Sequence, residues 1–173
     1  MTSNTPDLLL EEKFLPSHRE LFTKLRRSVA WDASMRARKT ASFGKPYDYS
    51  QMNYAPAELL PCLVELRDQL AERLEVSFNN CLANYYETGE NTMGYHADDT
   101  SGLLPGTGVA IVSLGSRRTI SFRSSDDATH VAYELEPGSL LYMGADIQTA
   151  WKHAIARQPG AGPRISLTWR AVR

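Results

Sequence analysis

The stretch "PRISLTWRAVR", residues 163–173, carries the alternation that decides how the chain is read. In a strand, residues i and i+2 share a face. Arg164, Ser166, Thr168 and Arg170 therefore fall on one side, and Ile165, Leu167 and Trp169 on the other. The second side reads as a packing face. The first is a poor hydrophobic core, and guanidinium groups withdrawn from water need anionic partners. A dicarboxylate ligand would supply two, one near each end of the strand. An edge strand with both arginines in solvent is an equally open reading of this stretch alone.

Upstream, "YHADDTSG", residues 95–102, sets His96 and Asp98 two positions apart. On an extended segment both point to one side, so one metal ion can meet both. A third ligand must come from elsewhere. The chain has four histidines. His18 opens a predicted helix and His130 follows a turn, and both read as surface residues. His153, in "TAWKHAIA", lies on a β-like segment just ahead of the final strand. Two histidines and one carboxylate leave three octahedral positions open, the facial triad of non-haem Fe(II) oxygenases. His-x-Asp alone is a weak signal; the late histidine and the arginine strand give it weight.

The rest of the chain divides in two. "LLLEEKFLP" predicts a short strand with a turn at Pro16. A helix follows, with Ser17 the candidate N-cap, Glu20 three residues on, and Leu21, Phe22, Leu25 and Val29 at helical spacing. "RARKTASFGKPYDYSQMNYAP" shows no period and is read as loop and short strands. A second helix is predicted from about Ala57 to Leu74, buried through Leu59, Leu60, Leu63, Leu66, Leu70 and Leu74, with Pro61 tolerable only in its first turn. Beyond it, "FNNCLANYY", "GVAIVSLG", "RTISFRS", "HVAYELE", "SLLYMG", "AWKHAIA" and "RISLTWRAV" are short, β-rich and punctuated by turn signals. Such spacing predicts a double-sheet roll or barrel on which the two helices pack.

Composition narrows the class without naming a function. At 173 residues, 42% apolar and 23% charged, the chain fits one globular domain. No apolar run approaches the roughly 20 residues of a membrane helix, and no basic n-region precedes an apolar stretch at the N-terminus. Cys62 and Cys81 form no Cys-x-x-Cys pair and read as small buried hydrophobes in a reduced, cytoplasmic setting. A net charge of −1 excludes a generic polyanion binder. Charge is nonetheless uneven. Lys24, Arg26, Arg27, Arg36, Arg38, Lys39 and Lys45 stand against one acid, Asp32, a run that suits either a solvated face or a phosphate track.

Taken together, "NYYETGENTMGYHADD", "VSLGSRRTISF", "PGSLLYMGADIQTAWKHAI" and "PRISLTWR" resemble the AlkB-type Fe(II)/2-oxoglutarate dioxygenases, which repair alkylated nucleic acid bases. The resemblance runs from about Phe43 to the C-terminus. It implies a mostly β fold: a double-stranded β-helix, or jelly roll, over about residues 79–173, with an N-terminal α/β extension over about residues 1–78 forming a substrate lid. It implies Fe(II) on His96, Asp98 and His153, with 2-oxoglutarate and O₂ as cosubstrates. Arg164 would pair with the distal carboxylate of 2-oxoglutarate, and Arg170 would lie near the other. Fork-shaped arginines suit carboxylates. Asn84 and Tyr86 match the family's Asn-x-Tyr and would hydrogen-bond the cosubstrate, beside Thr168. Ser166 stands where many members carry asparagine.

The resemblance also implies the substrate: alkylated DNA, with RNA a further candidate, bearing 1-methyladenine- or 3-methylcytosine-type lesions. Succinate, CO₂ and formaldehyde would be released. The base must be flipped out or taken from a single strand, and no obvious duplex-wedging hairpin is present, which favours single strands. Asp99 would contact the exocyclic amine of the base. Tyr49, before Ser50, is the first candidate for the stacking ring, with Tyr47 on the same side. Arg36 and Arg38 would track phosphates. Trp151 and Trp169 are assigned to the core. No membrane partner is expected, a monomer is the default, and the setting would be cytoplasmic, nucleoid-associated in a bacterium or nuclear in a eukaryote. Two other readings remain: an oxygenase of the same chemistry acting on RNA, protein or lipid, and a metal-binding jelly roll that has lost catalysis.

Overall fold

The computed structural model describes residues 4–47 and 54–173. Two antiparallel sheets face each other, and two helices cover the outside of the larger one. The larger sheet has the order β1-β8-β5-β10-β3-β2, from β1 (Leu8–Glu11), β2 (Lys39–Gly44), β3 (Asn80–Tyr86), β5 (Val109–Gly115), β8 (Leu140–Met143) and β10 (Arg164–Arg170). The smaller has the order β4-β9-β6-β7, from β4 (Met93–His96), β6 (Arg118–Ser124), β7 (His130–Leu135) and β9 (Trp151–Ile155). The N-terminal 78 residues contribute both edge strands of the larger sheet. In that sheet β1 pairs with β8, and β2 with β3.

Strand period and layer order explain why β3 and β10 are buried at every position. Each is covered on both faces. Cys81, Ala83 and Tyr85 of β3, Ala110, Val112 and Leu114 of β5, and Ile165, Leu167 and Trp169 of β10 pack in one core with the helices. The alternate residues turn towards the smaller sheet. There Tyr86, Val109, Ile111, Leu141 and Met143 meet Ile120, Phe122, Leu135, Trp151 and Ile155 in a second core. Trp151 and Trp169 are both buried, as expected, and Cys81 is fully buried while Cys62 is half-buried.

The helices follow their apolar stripes. α1 (His18–Ser28) buries Leu21 and Leu25. Ser17 sits at its N-cap but makes no side-chain capping bond, so the expected capping box does not form. α2 spans Pro61–Leu74 and buries Leu63, Leu66 and Leu70. It starts four residues later than the leucine spacing suggests. Leu60, preceding proline, is extended (φ −62°, ψ 148°), because the proline ring disfavours helical backbone before it. Ala57 instead makes a β-bridge with Gly44. Proline fits at the first helical position, where its missing N–H costs nothing. No helix among the described residues is long and apolar enough to cross a membrane.

Two elements were not expected from sequence: β4 and the four-residue α3 (Ile147–Ala150). Both serve the site described next. The β5–β6 turn holds Gly115 at φ +83°, where a Cβ would lie 2.5 Å from the Pro163 carbonyl oxygen. Only glycine lets this turn close against the start of β10.

Leu70 is fully buried beneath α2 and distant in sequence from every site residue. Leu70→Ala should destabilise the fold by about 2–5 kcal/mol. Urea unfolding should show the loss, while metal affinity of the folded protein stays at the wild-type value.

Candidate metal and cosubstrate site

The inner faces of β3, β4, β9 and β10 meet in a cleft between the sheets. Asn84, Tyr86, His96, Asp98, His153, Arg164, Ser166, Thr168 and Arg170 line it together. Register explains the assembly. On the larger sheet, Arg164 lies opposite Tyr86 and Ser166 opposite Asn84. On the smaller, His96 of β4 lies opposite His153 of β9. Strand pairing thus joins residues far apart in sequence.

His96, Asp98 and His153 each offer a ligand atom within 4.8 Å of the others. The His96 and His153 ring centres are 4.3 Å apart. His96 Nδ1 is 2.8 Å from the Gly94 carbonyl oxygen, a contact that places the proton on Nδ1 and leaves Nε2 free as a ligand. That Nε2 is 3.6 Å from Asp98 Oδ1. Burial pushes His153 down to about 4, so its ring is neutral and its lone pair available at physiological pH. Its Nδ1 has no hydrogen-bond partner.

Asp98 is held in place by two residues. Its Oδ2 accepts from Arg170 Nε at 2.9 Å and lies 2.7 Å from Arg170 Nη2, a forked ion pair. Its backbone N–H donates to Gln148 Oε1 at 2.8 Å. Burial would raise the carboxyl; the Arg170 charge, with His153 and His96, outweighs it and holds the carboxyl below its ordinary value. With Oδ2 taken by Arg170, Oδ1 is the oxygen left for a metal. Arg170 therefore orients an iron-ligand candidate, a contact the sequence did not foretell. Gln148, supplied by α3, was missed because a four-residue helix carries no readable period.

Arg164 is 1% exposed. Its Nη2 donates to Ser113 Oγ at 3.0 Å, its guanidinium carbon is 5.2 Å from the Tyr86 ring centre, and Nε and Nη1 have no partner. Burial lowers its pKa. A buried guanidinium with two orphan donors fits an anionic ligand, and the distal carboxylate of 2-oxoglutarate matches it. Asn84 Oδ1 accepts from Arg38 Nε at 2.9 Å, which leaves the amide nitrogen as the donor for a ligand. Fe(II) and 2-oxoglutarate both fit the residues present.

Three expectations for the substrate side change. Arg38 is buried and reaches Asn84 and the Thr92 carbonyl (3.3 Å), so it braces the cleft instead of tracking phosphates in solvent. Tyr47 is buried too. Its hydroxyl donates to the Asp99 carbonyl at 3.0 Å, and the Arg170 guanidinium carbon lies 4.2 Å from its ring centre. Its ring is engaged by the site's own arginine and offers no open stacking face. Burial, then the Asp98 charge, pushes its phenol up to about 12. The basic run is also thinned, since Lys39 pairs with Glu87 at 3.1 Å; Arg36 and Lys45 remain exposed. Asp99 is exposed at the mouth, with Oδ1 accepting from the Ser101 N–H at 3.0 Å. Tyr49 and Ser50 lie outside the described residues.

A two-sheet fold with a His-Asp-His cluster and a buried arginine with two unpartnered nitrogens between the sheets is suited to hold a metal ion and an anionic ligand side by side. The chain belongs to the 2OG-Fe(II) oxygenase superfamily, whose description matches residues 9–170. It is 33% identical over 147 residues to the mouse protein named DNA oxidative demethylase ALKBH2, covering 78% of this chain and 62% of that one. It is 31% identical over 147 residues to mouse alpha-ketoglutarate-dependent dioxygenase alkB homolog 3, covering 78% of this chain and 51% of the relative. The chain thus spans between half and two thirds of the length of these relatives. The solved structure of OsALKBH1 superposes with a TM-score of 0.74 at 18% identity, covering 96% of this chain and 98% of that one, which supports the jelly-roll fold. The resemblance to AlkB-type dioxygenases is borne out.

His96→Ala should abolish Fe(II) binding, read with Co(II) as a spectroscopic probe, and leave the melting temperature near wild type. Asp98→Ala should also lose the metal but unfold more readily by about 3–5 kcal/mol, because it strands the buried Arg170 charge. Equal melting of the two variants would contradict the buried pair. In metal-free protein, His153 is neutral down to about pH 4, whereas an unfolded histidine protonates near 6.5. Stability should therefore fall as pH drops through that window, and the fall should be shallower in His153→Asn.

Proposed function

We propose that this domain oxidatively demethylates N-alkylated bases of the 1-methyladenine and 3-methylcytosine type in DNA, with RNA as a further substrate. The observation that carries the reading is the conjunction in one cleft of a three-ligand cluster and the buried, anion-seeking Arg164. The relatives named as DNA oxidative demethylases support the substrate class. Bound Fe(II), O₂ and 2-oxoglutarate would supply the oxidant, with release of succinate and CO₂; the hydroxylated methyl leaves as formaldehyde.

The chain's own contribution is positioning. His96, Asp98 and His153 would hold iron. Arg164, with Tyr86 opposite it, would hold 2-oxoglutarate by its distal end, Ser166 and Thr168 would line its course along β10, and the Asn84 amide, braced by Arg38, would donate to it. Arg170 keeps one Asp98 oxygen turned to the metal. Asp99, exposed at the mouth, would accept from the exocyclic amine of the target base, and Arg36 and Lys45 offer cations to the strand. A base inside a duplex cannot reach a cleft between two sheets, so the substrate is a flipped or single-stranded base; single strands are the first choice.

The decisive assay follows oligonucleotides bearing one 1-methyladenine or 3-methylcytosine by mass spectrometry. They are tested single-stranded and duplex, as DNA and RNA, with succinate measured in parallel. Loss of one methyl mass matched by succinate is expected, and His96→Ala should show neither. Succinate without demethylation would move the substrate to another class. Arg164→Ala should raise the 2-oxoglutarate requirement far more than the oligonucleotide requirement, by a loss on the order of 2–5 kcal/mol in cosubstrate binding.

A further inference from the structure

The dipeptide Arg117-Arg118 presents the same side chain twice, and the fold treats the two oppositely. Arg117 is exposed and reaches two acids, Glu134 at 3.4 Å and Glu136 at 3.3 Å. Arg118, the first residue of β6, is 0% exposed and makes no ion pair with a carboxylate among the described residues. Its Nη2 donates to the carbonyls of Asn91 and Ala156, each at 2.7 Å, and its Nη1 to that of Thr88 at 3.4 Å. Nε has no partner. The guanidinium carbon lies 5.3 Å from the Tyr86 ring centre.

Carbonyl oxygens satisfy donors but do not neutralise a charge. An apolar side chain of similar volume would fill the same space without the desolvation cost. Arg164 rests against the same Tyr86 ring at 5.2 Å and also lacks an acid. Two uncompensated cations against one aromatic ring disfavour each other. An anion beside the ring relieves both, and the distal carboxylate of a dianionic 2-oxo acid supplies one there. A 2-oxo acid with a single carboxylate spends it at the metal end and leaves the Tyr86 end empty.

We propose that Arg118 is a positioning residue of the cosubstrate pocket, holding the Tyr86 ring and adding a second buried positive charge that selects dianionic 2-oxo acids over monoanionic ones. This rests on the 2-oxoglutarate reading of the site and is independent of the nucleic acid substrate.

The test is equilibrium binding without turnover, by calorimetry on Mn(II)-loaded protein at low ionic strength. The ligands are 2-oxoglutarate and 2-oxopentanoate, its five-carbon counterpart lacking the distal carboxylate. Wild type is compared with Arg118→Gln, Arg118→Met and Arg118→Lys. Arg118→Gln and Arg118→Met should weaken 2-oxoglutarate about tenfold, or about 1.4 kcal/mol, and 2-oxopentanoate less than about twofold. Arg118→Lys should keep the preference within about threefold, because it keeps the charge. Should Arg118→Met fail to fold, Arg118→Gln decides, since it retains a donor for the carbonyls. Equal weakening of both acids, or unchanged 2-oxoglutarate binding in the neutral variants, would overturn the proposal. Wild type with no preference for 2-oxoglutarate would overturn the cosubstrate reading itself, and the proposal with it.

Discussion

The forked pair between Arg170 and Asp98 ties the two halves of the molecule together. Arg170 ends the central strand of the larger sheet; Asp98 follows the edge strand of the smaller one. Each charge would cost several kcal/mol to bury alone. Because the strand exposes one face to the helix layer and the other to the cleft, Arg170 cannot turn outward without removing Ile165, Leu167 and Trp169 from their core. The guanidinium is committed to the interior, and the carboxylate that answers it is committed with it. One Asp98 oxygen is consumed by the pair, and the other faces the two imidazoles. A geometry suited to a single-oxygen metal ligand thus follows from the need to compensate a buried arginine.

The opposite end of the same strand shows what happens without such compensation. Arg164 has a hydroxyl, an aromatic ring and two unpartnered nitrogens. Along one strand face, from residue 170 to residue 164, the protein passes from a neutralised guanidinium at the metal end to an uncompensated one, both lining the same cleft. That asymmetry is the electrostatic form of a ligand that meets metal at one end and arginine at the other. The register partners Tyr86 and Asn84 sit beside Arg164 and Ser166 for a reason of sheet pairing, so the Asn-x-Tyr spacing on β3 mirrors the Arg-x-Ser spacing on β10.

Much of this was legible in sequence because it rests on period. The alternation of residues 164–170 announced a strand with two unlike faces, the leucine stripe announced α2, and His96-x-Asp98 with a late histidine announced a cluster of three side chains. What escaped had no period to read. β4 is four residues with a register irregularity before His96, and α3 is a single turn. The start of α2 was set by the backbone of Leu60 ahead of proline, which the leucine stripe overrode in the reading. Arg38 and Tyr47 sit in an irregular segment, where charge and aromaticity look like surface properties. Their burial is a tertiary outcome: Arg38 finds Asn84, and Tyr47 finds Arg170 and the Asp99 carbonyl. Arg118 opens the segment "RTISFRS", read as β-rich and found as β6, but its burial left no signal, because its partners are carbonyls and carbonyls leave no trace in the identity of a residue.

Those buried contacts join the segment before the undescribed residues 48–53 to the metal side of the cleft. Tyr47 lies over the Arg170 guanidinium and donates to the backbone of the residue next to Asp98. Arg38 orients the amide expected to meet the cosubstrate. The N-terminal segment is therefore joined to the partner of Asp98 and to Asn84 by separate contacts. An anion beside Arg164 and the contact of Tyr47 with Arg170 act on residues of the same strand, β10. The far face of that strand is locked into the helix core, which leaves it little freedom to shift alone.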